Sequence, residues 1–206
     1  MSSFGRVFRI TTFGESHGKS VGVVIDGVPP NLVVNIDEIQ AQLNRRRPGQ
    51  SHLTTSRNEA DLVEVCSGLM GNITLGTPLM MKVDNKDVRA EDYVEWAEKI
   101  PRPSHADFAY KCKYSVTARS GGGRASARET IGRVAAGAVA EVCLRDKFGI
   151  EIVAFVSGVG KILWNPADLN VEIITRAIVD QSVVRCPNTA LSSKMVALNG
   201  LLFVGR

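Results

Sequence analysis

The chain has 206 residues, with 25 basic against 21 acidic side chains for a formal charge of +4; hydrophobic residues make up 44% and charged residues 22%. That is ordinary globular usage, which excludes disordered, collagen-like and coiled-coil chains. The apolar runs fall short of the ~18 residues that a membrane-spanning helix requires. Mild basicity suits a phosphorylated or carboxylated partner and does not call for nucleic acid. At ~150 residues per domain, a single domain over residues 1–206 is expected. The four cysteines (Cys66, Cys112, Cys143 and Cys186) are widely spaced with no CxxC pair, so free thiols in a reducing compartment are expected. The opening MSSFGRVFRI has neither a secretory h-region nor an Arg/Ser-rich transit pattern, and a cytoplasmic protein is the default.

Residues 7–12 and 21–25 read as short strands. Between them lies Gly14-Glu15-Ser16-His17-Gly18-Lys19-Ser20. Its last three residues imitate the end of a P-loop. The required G-x-x-x-x-G-K-S would put glycine at position 13, where Phe13 stands, and the segment that should be helical is β-branched. What remains is a Ser-His pair between glycines at the end of a strand. Imidazole exchanges a proton near neutrality, and glycines let a ligand come close. A surface histidine in a turn accounts for the same local pattern.

Asn35-Ile36-Asp37-Glu38 has the spacing of a capping box. It opens a helix with Ile36, Ile39 and Leu43 on one face, stopped by Pro48. Arg45, Arg46 and Arg47 end it. Three readings fit these arginines: cations offsetting the helix dipole, a carboxylate or phosphate clamp, or an RNA patch. The last lacks interleaved aromatic residues. Residues 62–66 and 79–83 read as strands.

Pro101-Arg102-Pro103-Ser104-His105-Ala106-Asp107 presents a second Ser-His pair, and two of the chain's three histidines sit in such pairs. Asp107 is placed either to orient the imidazole or to cap a turn. A glycine-rich run, Ser120-Gly121-Gly122-Gly123, then leads through Arg124, Ala125, Ser126 and Arg128 into the clearest helix, residues 126–147. Free N–H groups, a positive dipole end and two arginines make an anion site there. A flexible loop with a capped helix, Ser126 at the N-cap and Glu129 at N3, is the plainer reading. Ala127, Ile131, Val134, Ala138 and Val142 recur at helical spacing, and Gly149 stands where a C-cap belongs. The small residues Gly132, Ala135, Ala136 and Gly137 imply very close packing. Residues 150–156 read as a buried strand. The mixture points to an α/β or α+β fold with strands and helices in layers.

Taken together, Gly14-Glu15-Ser16-His17-Gly18, Val24-Ile25-Asp26-Gly27-Val28-Pro29-Pro30, Arg45-Arg46-Arg47-Pro48-Gly49, Arg102-Pro103-Ser104-His105-Ala106-Asp107 and Gly123-Arg124-Ala125-Ser126-Ala127-Arg128-Glu129-Thr130 resemble chorismate synthase in order and spacing. The resemblance is dense over about residues 4–162 and continues through Val184-Arg185-Cys186-Pro187. It implies an α+β sandwich with β-α-β layers. It also implies a lyase that converts 5-enolpyruvylshikimate 3-phosphate to chorismate and phosphate by anti 1,4-elimination, with reduced FMN and no net redox change. By the resemblance His17 and His105 are catalytic, one near the departing phosphate and the other near the flavin. Ser16, Arg46, Arg102 and Arg128 hold the anionic substrate, and Arg124, Ala125 and Ser126 contact the flavin. A homotetramer in the cytoplasm is implied, with NADPH as the flavin reductant in some relatives and with neither a metal, a nucleic acid nor a membrane as partner.

Departures from the pattern are His52 where arginine is frequent, Tyr114-Ser115 in place of Tyr-Gly, and Ala125 in place of serine. After about Ala197 the family continues into a second half with further flavin and substrate residues, whereas this sequence stops at Arg206. An N-terminal portion that by itself binds FMN weakly and turns over little or nothing is therefore expected. The alternative is a catalytically inactive relative serving as an anion-binding or assembly module.

Overall fold

Alternating burial marks β2 (Arg9–Gly14), β3 (Ser20–Asp26) and β7 (Leu79–Asp84), flanked by β1 (Ser3–Phe4) and β4 (Val63–Ser67). A computed structural model describes residues 2–51, 59–86, 100–116 and 122–204. They divide into two units: residues 1–49 with 56–149, and residues 50–55 with 150–206.

In the first unit the five strands form one antiparallel sheet in the order β1-β2-β3-β7-β4. Register places Ile10 opposite Ile25, Val23 opposite Met81 and Val21 opposite Val83, all on one face and all buried. Two short strands, β5 (Leu69–Met70) and β6 (Ile73–Thr74), pair beside it. Helix α1 (Ile36–Arg46) buries Ile39 and Leu43 completely. Burying such side chains contributes about 1.5–3 kcal/mol each. Asn35 caps α1 through the N–H of Asp37. Glu38 does not complete a capping box; its carboxylate meets Arg145 on the last turn of α3 (Thr130–Phe148). Arg47 is extended ahead of Pro48, which ends α1 where the sequence implies.

Helix α3 lies against the sheet with Gly132 over β3. A methyl group at Gly132 would come within 2.6 Å of the Gly22 carbonyl oxygen. This is the close packing that the small helix face implies. The helix starts later than expected. Residues Gly123–Ala125 and Ala127–Glu129 form two single 3₁₀ turns, with Ser126 extended between them. The Ser126 hydroxyl accepts from the Arg128 N–H, while the Glu129 carboxylate bonds to Thr12, Arg124 and Arg133 rather than returning to a cap. The nearby Arg124 and Arg133 pairs and the distant Thr12 hydroxyl thus hold the Glu129 carboxylate away from the capping position that local propensity favours. Gly149 is left-handed at the C-terminus of α3, as expected. Helix α2 (Asp107–Tyr114) buries none of its residues.

In the second unit β8 (Gly158–Val159) and β9 (Ile162–Leu163) make a short hairpin, followed by α4 (Arg176–Asp180) and α5 (Thr189–Val204). Val179, Cys186 and Met195 are buried. Residues 150–156 are not the buried strand that their β-branched run suggests. Ile150 and Ile152 are about half exposed, the Ile152 carbonyl accepts from Arg176, and the Val156 N–H bonds to the Arg185 carbonyl. Propensity makes the segment fit for a ladder, but a strand also needs a neighbour in register.

All four cysteines are free thiols. Among the described residues no helix is long and apolar enough to cross a membrane, and no group of three His, Cys, Asp or Glu is placed to hold a metal ion.

Candidate active site

The first Ser-His pair sits in a tight turn between β2 and β3. Gly14 has φ +87°, and a Cβ there would meet the Ser20 carbonyl oxygen at 2.1 Å, so glycine is required. The Gly18 N–H closes the turn onto the Glu15 carbonyl at 3.1 Å, leaving Ser16 and His17 at its centre. Ser16 is buried, and its N–H reaches the Gly123 carbonyl at 3.3 Å. His17 is half-buried. A β-strand, not a helix, follows Lys19, which removes the P-loop reading.

Around this turn lies a set of charges drawn from distant parts of the first unit. Arg128 is 4% exposed. Its Nε donates to Asn85, one terminal nitrogen bonds to Asp61 at 2.9 Å and the other to Glu59 at 2.5 Å. Asp61 also takes Arg46 at 2.9 Å. Both carboxylates are buried, and only such complete pairing offsets the cost of removing them from water. Arg124 donates to the Gly14 carbonyl, the Thr12 hydroxyl and carbonyl, and Glu129. Its terminal nitrogens thus tie β2 to the entrance of α3. Ala125 is exposed and Ser126 half-buried.

The second Ser-His pair is organised locally. Arg102 grips Asp107 with two bonds, Nε to Oδ2 at 2.7 Å and a terminal nitrogen to Oδ1 at 2.9 Å, and its backbone N–H adds a third. Ser104 is left-handed, the His105 N–H reaches the Arg102 carbonyl, and His105 is exposed. Asp107 thus does not cap α2 with its side chain; it stands at the first position of the helix, and its carboxylate is taken up by Arg102. The Arg102 guanidinium keeps the Asp107 carboxyl below the ordinary 3.8, against an opposing effect of burial and with smaller help from the backbone N–H and His105.

The structure thus joins Arg46 and Arg128 in one charge network, sets Arg124 against β2 beside the Ser16-His17 turn, and keeps Arg102 and His105 in a local cluster. Sequence reasoning missed Thr12, Glu59, Asp61, Asn85 and Glu129 as the groups that hold the network. No motif or spacing in the sequence indicates which acids these arginines meet. His52, Ser120 and Gly121 lie outside the described residues.

The fold defines an α+β protein in which a histidine-bearing turn lies beside buried arginine–carboxylate pairs. A solved structure described as "Crystal Structure of Chorismate Synthase" aligns with TM-score 0.69 at 28% identity, over 94% of this chain and 53% of that one. The chorismate synthase of Synechococcus sp. (strain CC9902) is 54% identical over 196 residues, covering 95% of this chain and 53% of the relative. That of Schizosaccharomyces pombe (strain 972 / ATCC 24843) is 50% identical over 218 aligned positions, covering 95% and 55%. The chorismate synthase family model matches residues 8–199, and the chain belongs to that family. It spans about half the length of the curated relatives it matches.

Proposed function

We propose that this chain supplies the two-histidine part of a chorismate synthase active site. In the reaction a ring C–H bond and the C–O bond to phosphate break, a new double bond forms, and 5-enolpyruvylshikimate 3-phosphate yields chorismate and inorganic phosphate. The observation that carries the reading is the braced Ser16-His17 turn against Gly123, within a chain that matches the family over residues 8–199.

Imidazole delivers a proton near neutrality, and a departing phosphate requires a proton or positive charge. His17 and His105 take these acid–base tasks, one at the phosphate and one at the flavin. Ser16, Arg46 and Arg102 are the contacts for the substrate anion. The side chains of Arg46 and Arg102 are 21% and 36% exposed, and each is aimed by a carboxylate. Arg128 contributes from within, by fixing Asp61 beside Arg46 and Asn85 beside the turn. Reduced FMN is the cofactor of this reading and undergoes no net oxidation. NADPH as its reductant, a homotetrameric assembly and a cytoplasmic location belong to the same proposal, as does a single functional domain over 1–206. The inward pairing of Arg124 and Arg128 speaks against a non-catalytic polyanion-binding module.

The test is phosphate release from the enolpyruvyl substrate by the protein with reduced FMN. His17→Ala and His105→Ala are each expected to lower the rate by about 10²–10⁴-fold. Release that survives both substitutions would falsify the reading, as would steeply salt-dependent polyanion binding indifferent to either histidine.

A further inference from the structure

We propose that Asn85 is the positioning residue for His17, locking the turn that carries it to the Arg128 charge network. The proposal rests on the reading of His17 given above.

Asn85 follows β7 directly, at the rim of the rigid sheet. Its backbone N–H bonds to the Lys19 carbonyl at 3.0 Å. Its side-chain nitrogen donates twice, to the Glu15 carbonyl at 2.9 Å and to the Gly18 carbonyl at 2.7 Å. These two carbonyls bracket Ser16 and His17. Its side-chain oxygen accepts from Arg128 Nε. Two donors and an acceptor on one short planar group are the inventory of a carboxamide. The opposite orientation of the amide would set its oxygen against two carbonyls and its N–H against a guanidinium, so the surroundings fix it. A turn flanked by Gly14 and Gly18 has little stiffness of its own, and Asn85 supplies an outside restraint on both carbonyls that bracket the histidine. The chain of contacts then runs from the His17 turn through Asn85 and Arg128 to Glu59, Asp61 and Arg46. Displacement of an acid–base group by about 1 Å costs on the order of 10²-fold in rate.

The variant Asn85→Asp keeps an acceptor for Arg128 and loses both donors to the turn; Asn85→Leu loses all three bonds at similar size. In the full chain, Asn85→Asp is expected to lower kcat about ten- to a hundredfold while KM stays within about twofold. The His17 ring signals in a ¹H–¹⁵N spectrum are expected to move while those of His105 hold. A folded Asn85→Asp protein with unchanged kcat and unchanged His17 signals overturns the proposal, as does equal movement at His105. Should Asn85→Asp fail to fold, Asn85→Leu is read by the same signals and the same criteria. If the unaltered protein neither binds reduced FMN nor releases phosphate, the functional reading fails. The His17 signals then decide alone: movement confined to His17 upholds the clamp, and none overturns it.

Discussion

Two Ser-His pairs that look alike in the chain are held in opposite ways. Ser16-His17 is built from afar: Asn85 is 67 positions from Gly18 and 70 from Glu15, and Arg128 is 67 from Asp61 and 69 from Glu59. Ser104-His105 is built from its neighbours, with Arg102 and Asp107 five positions apart and the histidine exposed. The first is placed only when the sheet, α3 and the segment before β4 have come together. The second needs little more than its own prolines and the start of α2. A site assembled from distant parts is sensitive to any one of them, whereas a local site fails mainly by its own residues.

Breaking the long-range site has the largest expected effect. Arg128→Ala leaves Glu59 and Asp61 buried without their shared cation and is expected to cost about 3–5 kcal/mol in denaturant unfolding. A loss below about 1 kcal/mol would mean that the two acids reach water, and would erase the contrast between the two pairs. Gly14→Ala comes next. The positive φ and the 2.1 Å approach to the Ser20 carbonyl force a backbone shift, with an expected cost of about 1–3 kcal/mol. Hydrogen exchange at the Gly18 amide would show whether the turn opens with it.

The smallest effect belongs to the local cluster. Asp107→Asn is expected to cost under about 1 kcal/mol, because the Arg102–Asp107 pair is partly exposed. Its pH dependence sharpens the comparison. The folded carboxyl is more acidic than the unfolded one, so the pair stabilises the fold at pH above the ordinary 3.8 and loses that contribution as pH falls through the lower folded value. The stability gap between the natural chain and Asp107→Asn should therefore close on acidification. A gap that widens below pH 3.8 would contradict the assignment.

Much of the fold was legible in order. Val21, Val23 and Ile25 alternate as a half-buried strand must, and the Asn35 cap, the stop before Pro48 and Gly149 mark helix ends by local chemistry. The expected helix start at Ser126 and the strand at 150–156 failed for one reason. Local propensity favours both, and both are decided by partners elsewhere: Thr12, Glu59, Asp61 and Asn85 for the first, Arg176 and Arg185 for the second. The motifs picked out Ser16, His17, Arg46, Arg102, His105, Arg124 and Arg128, but not what each arginine holds.

By itself the amino-acid order determined the family, the strand and helix repertoire and the positions of both histidines, because motifs, periodicity and caps act within a few residues. Only the folded chain decided which carboxylate each guanidinium meets, and which side chain braces the His17 turn. Charges in water have no fixed partner; burial beside β3 and α3 makes every unmatched one costly and so selects a single arrangement.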